Sequence, residues 1–195
     1  MDRNLYIIAG CNGAGKTTAS FTILPEILDC KEFVNADEIA KGLSPFQPET
    51  VAFQAGRIML GRIRELLNER QTFAFETTLA TKSYKNLVLE AQDLGYRVSL
   101  LFFWLDSPEL AVDRVRRRVS KGGHSIPVEV VHRRYRAGIV NLINIFLPIV
   151  DHWAIMNNTS AFSEIIAERL ENGDVMIHDR LIFAEIEMYG ELRGI

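Results

Sequence analysis

The chain is poor in cysteine: two in 195 residues, at positions 11 and 30. Two thiols exclude both a disulfide framework and a four-cysteine zinc site. Long apolar runs are also missing. The longest unbroken one, Leu100–Leu105, has six residues, against the roughly 18–20 needed to span a bilayer. The first residues, Met1-Asp2-Arg3-Asn4, carry no basic segment of the kind that opens a secretory leader, and the apolar run after them ends at Gly10. A soluble cytoplasmic protein without membrane attachment is expected. Repeats, low-complexity tracts and linker-like segments are absent too, so one domain over residues 1–195 is expected.

Nor is there a large excess of one charge. The formal net charge is −3, which speaks against a protein that coats nucleic acid. The basic residues are nevertheless uneven: eight of the 22 lie between Arg114 and Arg136. A basic window in a mildly acidic chain fits a solvated helix face or a site for one small anion.

Hydrophobic patterning predicts strands at Leu5–Ala9, Glu32–Asn35, Thr72–Phe75, Val98–Leu105 and Trp153–Asn157. Between them fall helices from Lys16 to near Pro25, a short turn from Asp37 to Gly42, one long helix over Glu49–Arg70, and others over Ser83–Leu94, Ser107–Ser120 and Val128–Leu147. Asn172-Gly173 signals a hairpin between Ile165–Leu170 and Val175–His178, and a last helix is expected over Leu181–Leu192. Such alternation predicts an α/β protein: a three-layer domain with a mainly parallel sheet, and, with the phosphate-loop motif after the first strand, a P-loop kinase-like fold with a helical lid near 114–136 and a hairpin plus helix over about 163–195. Ligands of such sheets bind beyond the carboxyl ends of the strands, so the residues just after each strand carry the functional information.

After the first strand stands Gly10-Cys11-Asn12-Gly13-Ala14-Gly15-Lys16-Thr17, a complete G-x-x-x-x-G-K-[ST] between strand and helix. The glycines let backbone N–H groups converge on phosphates, aided by the positive helix end. Gly10, Asn12, Gly13, Ala14, Gly15, Lys16, Thr17 and Thr18 are therefore the candidate ATP-binding residues, with the Thr17 hydroxyl on Mg²⁺. Cys11 is read as a bystander, although a helix N-terminus favours thiolate.

After the second strand comes Asp37, either a general base for an acceptor hydroxyl or an N-cap for the following turn. After the third come Glu76, Thr77 and Thr78. Glu76 is a candidate for binding Mg²⁺ through water or for holding a substrate hydroxyl, and Thr78 is a second polar contact. Asp106, after the fourth, precedes Ser107-Pro108-Glu109 and is read as a helix cap rather than a metal-binding acid. Helical angles place Arg116, Arg118, Arg134 and Arg136 at the borders of apolar stripes, with Arg114, Arg117 and Arg133 pointing away. Arg116, Arg118 and Arg134 are the candidate phosphate contacts, Arg118 with a catalytic part. Gly122-Gly123 is a hinge, and His124 packs in the lid or contacts substrate phosphate.

Taken together, the P-loop, Phe33-Val34-Asn35-Ala36-Asp37 with Gly42-Leu43-Ser44-Pro45, Phe75-Glu76-Thr77-Thr78-Leu79 and Gly122-Gly123-His124 resemble the zeta-toxin family of P-loop kinases, more narrowly its compact zeta-like ATPase branch. The resemblance spans about residues 5–160. It implies phosphorylation of UDP-N-acetylglucosamine on the amino-sugar 3′-hydroxyl, with Lys16 and Thr17 on ATP–Mg²⁺, Asp37 as base, and Glu76 and Thr78 holding the sugar nucleotide. It also brings an antitoxin protein as a partner class. Two readings stay open beside it: another P-loop kinase acting on a nucleoside, antibiotic or polynucleotide end, and a nucleotide-dependent interaction module without catalysis.

Overall fold

The computed structural model describes residues 3–120, 122–123 and 125–191. Seven strands form one sheet in the order β2-β3-β1-β4-β5-β6-β7. The first five run parallel: β1 (Arg3–Gly10), β2 (Phe33–Val34), β3 (Phe73–Thr77), β4 (Tyr96–Trp104) and β5 (His152–Asn157). The last two, β6 (Glu164–Arg169) and β7 (Val175–Ile177), are antiparallel to their neighbours. The mixed sheet flanked by helices is the mainly parallel, three-layer arrangement that the alternation predicts.

The central strands carry apolar residues on both faces because helices cover both. Leu5, Ile7 and Ile8 of β1, Phe73 and Phe75 of β3, and Leu100 of β4 are all fully buried. On leaving β1 the chain crosses β3 to reach β2, and on leaving β3 it crosses β1 to reach β4. Strand order therefore reverses at β1, where a crevice opens at the carboxyl ends.

The helices are α1 (Lys16–Thr22), α2 (Ala36–Leu43), α3 (Ala52–Asn68), α4 (Tyr84–Asp93), α5 (Pro108–Ser120), α6 (Val128–Asn141), α7 (Leu147–Ile149) and α8 (Arg180–Glu191). Two prolines change the expected boundaries. Pro25 does not stop the first helix; a π-helical turn over Ile23–Ile27 carries the chain through it. Likewise the predicted Val128–Leu147 helix is α-helical only to Asn141, then widens to a π turn over Leu142–Phe146 ahead of Pro148. A proline ring lacks the N–H and crowds the carbonyl four residues back, and a wider turn relieves both. The long third helix opens as a 3₁₀ turn, Pro48–Val51. The second strand is shorter than expected because Asn35 leaves it to cap α2.

Beyond β5 the hairpin forms at the predicted Asn172-Gly173 turn, and Gly173 takes φ +89° there. Helix α8 packs back through Phe183, whose ring stacks on Trp153 of β5 at 6.4 Å between centroids. Among the described residues no helix is long and apolar enough to cross a membrane.

Candidate active site

The loop Gly10–Gly15 needs its glycines for space as well as for dihedrals. Gly13 has φ +82°, and a Cβ there would lie 2.7 Å from the Ala111 carbonyl oxygen. Gly15 has φ +84°, and a Cβ there would lie 2.5 Å from the Asn158 amide nitrogen. Left-handed backbone and close neighbours together leave glycine as the residue that fits. The curl carries Lys16 to the start of α1, 5% exposed, where its Nζ donates to the Cys11 carbonyl at 3.0 Å.

Glu76, at the end of β3, is the hub of the crevice. The Thr17 hydroxyl donates to its Oε2 at 2.6 Å, and the Asn35 amide donates to the same oxygen at 2.9 Å. The Lys16 ammonium lies 3.4 Å from the other carboxylate oxygen. The β1–β3 register produces this meeting, since Ala9 pairs with Thr77 and both strand ends open together. An ammonium and two neutral donors thus offset the cost of placing a carboxylate whose side chain is only 10% exposed.

Asn35, not Asp37, caps the helix that follows the second strand. Its Oδ1 accepts from the backbone N–H of Asp37 at 2.8 Å and of Glu38 at 3.4 Å, so Asn35 is the N-cap of α2. The Asp37 carboxylate is thereby released from capping and lines the crevice, with the Arg118 guanidinium 3.8 Å away. The crevice encloses about 690 Å³ and is lined by P-loop residues, Thr17, Thr18, Asp37, Glu76 and side chains of α5. Lys16, Thr17, Asp37, Glu76 and Arg118, singled out from the sequence, come together here.

The arginine assignment needs correction. Arg114, Arg117 and Arg118 face the crevice, whereas Arg116 stands exposed beside Val112, Val115 and Val119 in a separate cavity against α6. The valine stripe packs on α6, not on the P-loop. The face that meets the loop is the Ala111–Arg114–Arg118 row, set by the close approach of Ala111 to Gly13. Arg114 donates to the Asn158 and Thr159 carbonyls, each at 2.8 Å. Arg117 pairs with Asp113 at 2.8 Å. Arg134 of α6 donates to Asn12 Oδ1 at 3.1 Å; burial pushes its guanidinium down, and the Asp37 carboxylate opposes that.

Thr78 does not line the crevice; it sits one residue past β3 against α6, where Gly138 lies so close that a Cβ would approach the Thr78 carbonyl to 2.6 Å. Helix α5 is capped by the Ser107 hydroxyl, which accepts from Leu110 N at 3.3 Å, while Asp106 accepts from that hydroxyl. His124 lies outside the described residues. Cys11 is buried and its thiol is pushed up to about 11 by desolvation, despite nearby Lys16. That fits the bystander reading.

Asn158, just past β5, escapes a search that follows motifs. Its amide donates to the Ala14 carbonyl at 2.6 Å, its backbone N–H to Trp104 at 2.9 Å, and its Oδ1 accepts from the Ser163 hydroxyl. It braces the back of the P-loop. Its signal was positional: the first polar residues after a parallel strand.

The hydroxyl of Thr17 beside the Glu76 carboxylate is a hard-oxygen donor pair of the kind Mg²⁺ takes, directly and through water. Among the described residues no group of three or more His, Cys, Asp or Glu side chains forms a denser metal site.

Fold and site together define a P-loop protein of the kinase-like class. More particularly, the chain belongs to the family described as AAA domain (AAA_33), whose model matches residues 5–139. An uncharacterized protein of Haemophilus influenzae (strain ATCC 51907 / DSM 11121 / KW20 / Rd) is 29% identical over 137 residues, 69% of this chain and 94% of that protein. The fold is shared with the AvrRxo1-ORF1:-ORF2 complex (TM-score 0.77, 16% identity, 98% of this chain) and with the PezAT chromosomal toxin–antitoxin system of Streptococcus pneumoniae (TM-score 0.63, 15% identity, 97% of this chain). The chain spans 65% of the matched AvrRxo1 chain and 85% of the matched PezAT chain.

Proposed function

We propose that this protein is an ATP-dependent phosphotransferase whose acceptor is a hydroxyl of a small molecule, with the amino-sugar 3′-hydroxyl of UDP-N-acetylglucosamine as the specific candidate. The observation that carries the reading is the release of Asp37 from helix capping into the crevice that also holds the P-loop lysine and threonine. A carboxylate placed there takes the proton of an acceptor hydroxyl as its oxygen attacks the γ-phosphorus. The bond between that phosphorus and the bridging oxygen breaks, and ADP leaves. Lys16 and Arg118 offset charge spreading over the phosphoryl oxygens. Glu76, anchored by Thr17 and Asn35, orients the metal side of the crevice. Thr17, and Glu76 through water, would hold a bound Mg²⁺, which would offset the charge of the β- and γ-phosphates.

The zeta-like resemblance and the toxin–antitoxin setting of PezAT support a second element of the reading: a protein partner that covers the crevice when activity must be held off. The fold is the ground this chain shares with that system.

The test is mass spectrometry of UDP-N-acetylglucosamine incubated with ATP, Mg²⁺ and either wild type or Asp37→Asn. The reading expects addition of one phosphate by wild type and loss of about 10²–10⁴-fold in the variant, with ATP affinity nearly unchanged. No product with wild type would remove this acceptor. Full turnover by Asp37→Asn would remove the base.

A further inference from the structure

Beside the P-loop crevice lies a second cavity of about 820 Å³, formed by the β3–α4 loop, one face of α6 and Tyr189 of α8. It shares no lining residue with the crevice. Three cations converge on it, Lys82, Arg133 and Arg136, with Glu129 as the one acid and His132 alongside. Among the described residues none of the three cations has an ion pair or side-chain hydrogen bond. The rest of the lining is largely apolar and includes Val128, Ala137, Val140 and Tyr189. Like charges lining one cavity repel one another and call for a ligand of opposite sign. A concave, mostly apolar cavity of this size with a few convergent polar groups is the form of a small-molecule site.

The cavity is built into the same element that serves the crevice. Glu76 lines the crevice and Ala80 lines the cavity; four residues of chain span at most about 14 Å. Between them Leu79 holds φ +57°, a left-handed backbone unusual for leucine. Two contacts to α6 hold that strained exit: the Asn141 amide donates to the Leu79 carbonyl at 2.7 Å, and Gly138 lies against the Thr78 carbonyl. Strain retained at a strand exit beside a cavity is a mark of functional geometry. On α6, Arg133 and Arg136 flank Arg134, which reaches Asn12 of the P-loop and interacts with both Asp37 and Arg133.

We infer that this cavity is a binding site for a small organic anion, a phosphate or carboxylate carried on an apolar or aromatic body, recognised by Lys82, Arg133 and Arg136. On the phosphotransferase reading, and only on it, the occupant is the acceptor, whose anionic group is held here while its hydroxyl reaches Asp37. The binding site itself does not depend on that reading.

Phenyl phosphate is the probe, titrated by calorimetry with the P-loop crevice kept filled by excess AMP-PNP and Mg²⁺, and again with Lys16→Ala protein lacking nucleotide. Saturable binding is expected in both settings. It should weaken at least tenfold in Arg133→Gln/Arg136→Gln, recover in the Arg→Lys pair, and be at least tenfold weaker for phenol, the same ring without the charge. Because all three cations are on exposed residues, the variants are expected to fold; Lys82→Ala gives an independent single-site check, with a several-fold loss. Equal affinity for phenol, undiminished binding by the Gln pair, or displacement of the probe by AMP-PNP would each overturn the site. None of these readouts uses phosphotransfer, so a failed kinase assay leaves the inference standing, and failed probe binding leaves the kinase reading standing.

Discussion

The five parallel strands and the C-terminal hairpin obey different rules. β1 and β3 are almost wholly buried, and the loops leaving them carry Lys16, Thr17 and Glu76 into one crevice. β7, in contrast, has all three residues exposed, and β6 begins with two exposed residues. The family match ends at residue 139, before either hairpin strand. Yet the segment between β5 and β6 supplies Asn158, which braces the P-loop from behind. Burial on both faces makes the parallel half rigid enough to hold a phosphate site. The hairpin is free to vary except where its entry loop touches that site.

The sharpest way to break this contrast is Lys16→Ala. Losing the buried ammonium should lower nucleotide-dependent turnover by about 10²–10³-fold, with the circular dichroism spectrum unchanged. Turnover within a few-fold of wild type would mean that the crevice is not where the chemistry happens.

Asn158→Ala probes the link between the halves. It removes the donor to Ala14 and leaves that carbonyl unpaired, a cost of about 1–3 kcal/mol. Urea unfolding should register it, together with several-fold weaker ATP binding. Asn158→Gln should restore affinity in part if bracing is the role. A stability loss with unchanged ATP affinity would confine Asn158 to structure.

The buried thiols give a smaller effect, with a definite sign. Cys11 and Cys30 are pushed from 9.0 up to about 11, chiefly by desolvation. The folded state therefore keeps protons that the unfolded chain releases first. Stability from these groups is fully present below about pH 9 and is lost as pH rises toward 11. Comparing denaturation midpoints of wild type and Cys11→Ala/Cys30→Ala between pH 8 and 11 should show a steeper fall for wild type. Parallel curves would contradict the burial argument. Smallest of all is Met176→Thr on β7, which should shift stability by no more than about 0.5 kcal/mol. A loss of 2 kcal/mol would mean that the edge strand carries more than its exposure suggests.

The sequence was legible where one physical cause dominates. The P-loop reads directly because phosphate contact, left-handed backbone and helix start demand the same residues. The alternation of strands and helices along the chain and the Asn172-Gly173 turn are equally plain. Side-chain direction on α5 was not. The apolar stripe at Val112, Val115 and Val119 marks a buried face but does not say which neighbour covers it, and α6 rather than the P-loop turned out to be that neighbour. Arg114 and Arg117 therefore face the crevice and Arg116 does not, the reverse of what the stripe alone implies. Nor does Asn35 advertise that it takes the cap from Asp37; two capping residue types two positions apart at a helix start leave that choice to where the strand ends. The two π turns depend on how a proline is accommodated within a helix already held by packing, which no local pattern encodes.

Transfer of label from [γ-³²P]ATP to the small-molecule fraction of a metabolite extract, with wild type and Asp37→Asn compared side by side, tests the central claim most directly. The account predicts a labelled, ATP-dependent small-molecule product with wild type and near-background labelling with the variant. Label that remains in ATP or appears only as inorganic phosphate, whatever extract is offered, would contradict it and leave a nucleotide-dependent interaction module in its place.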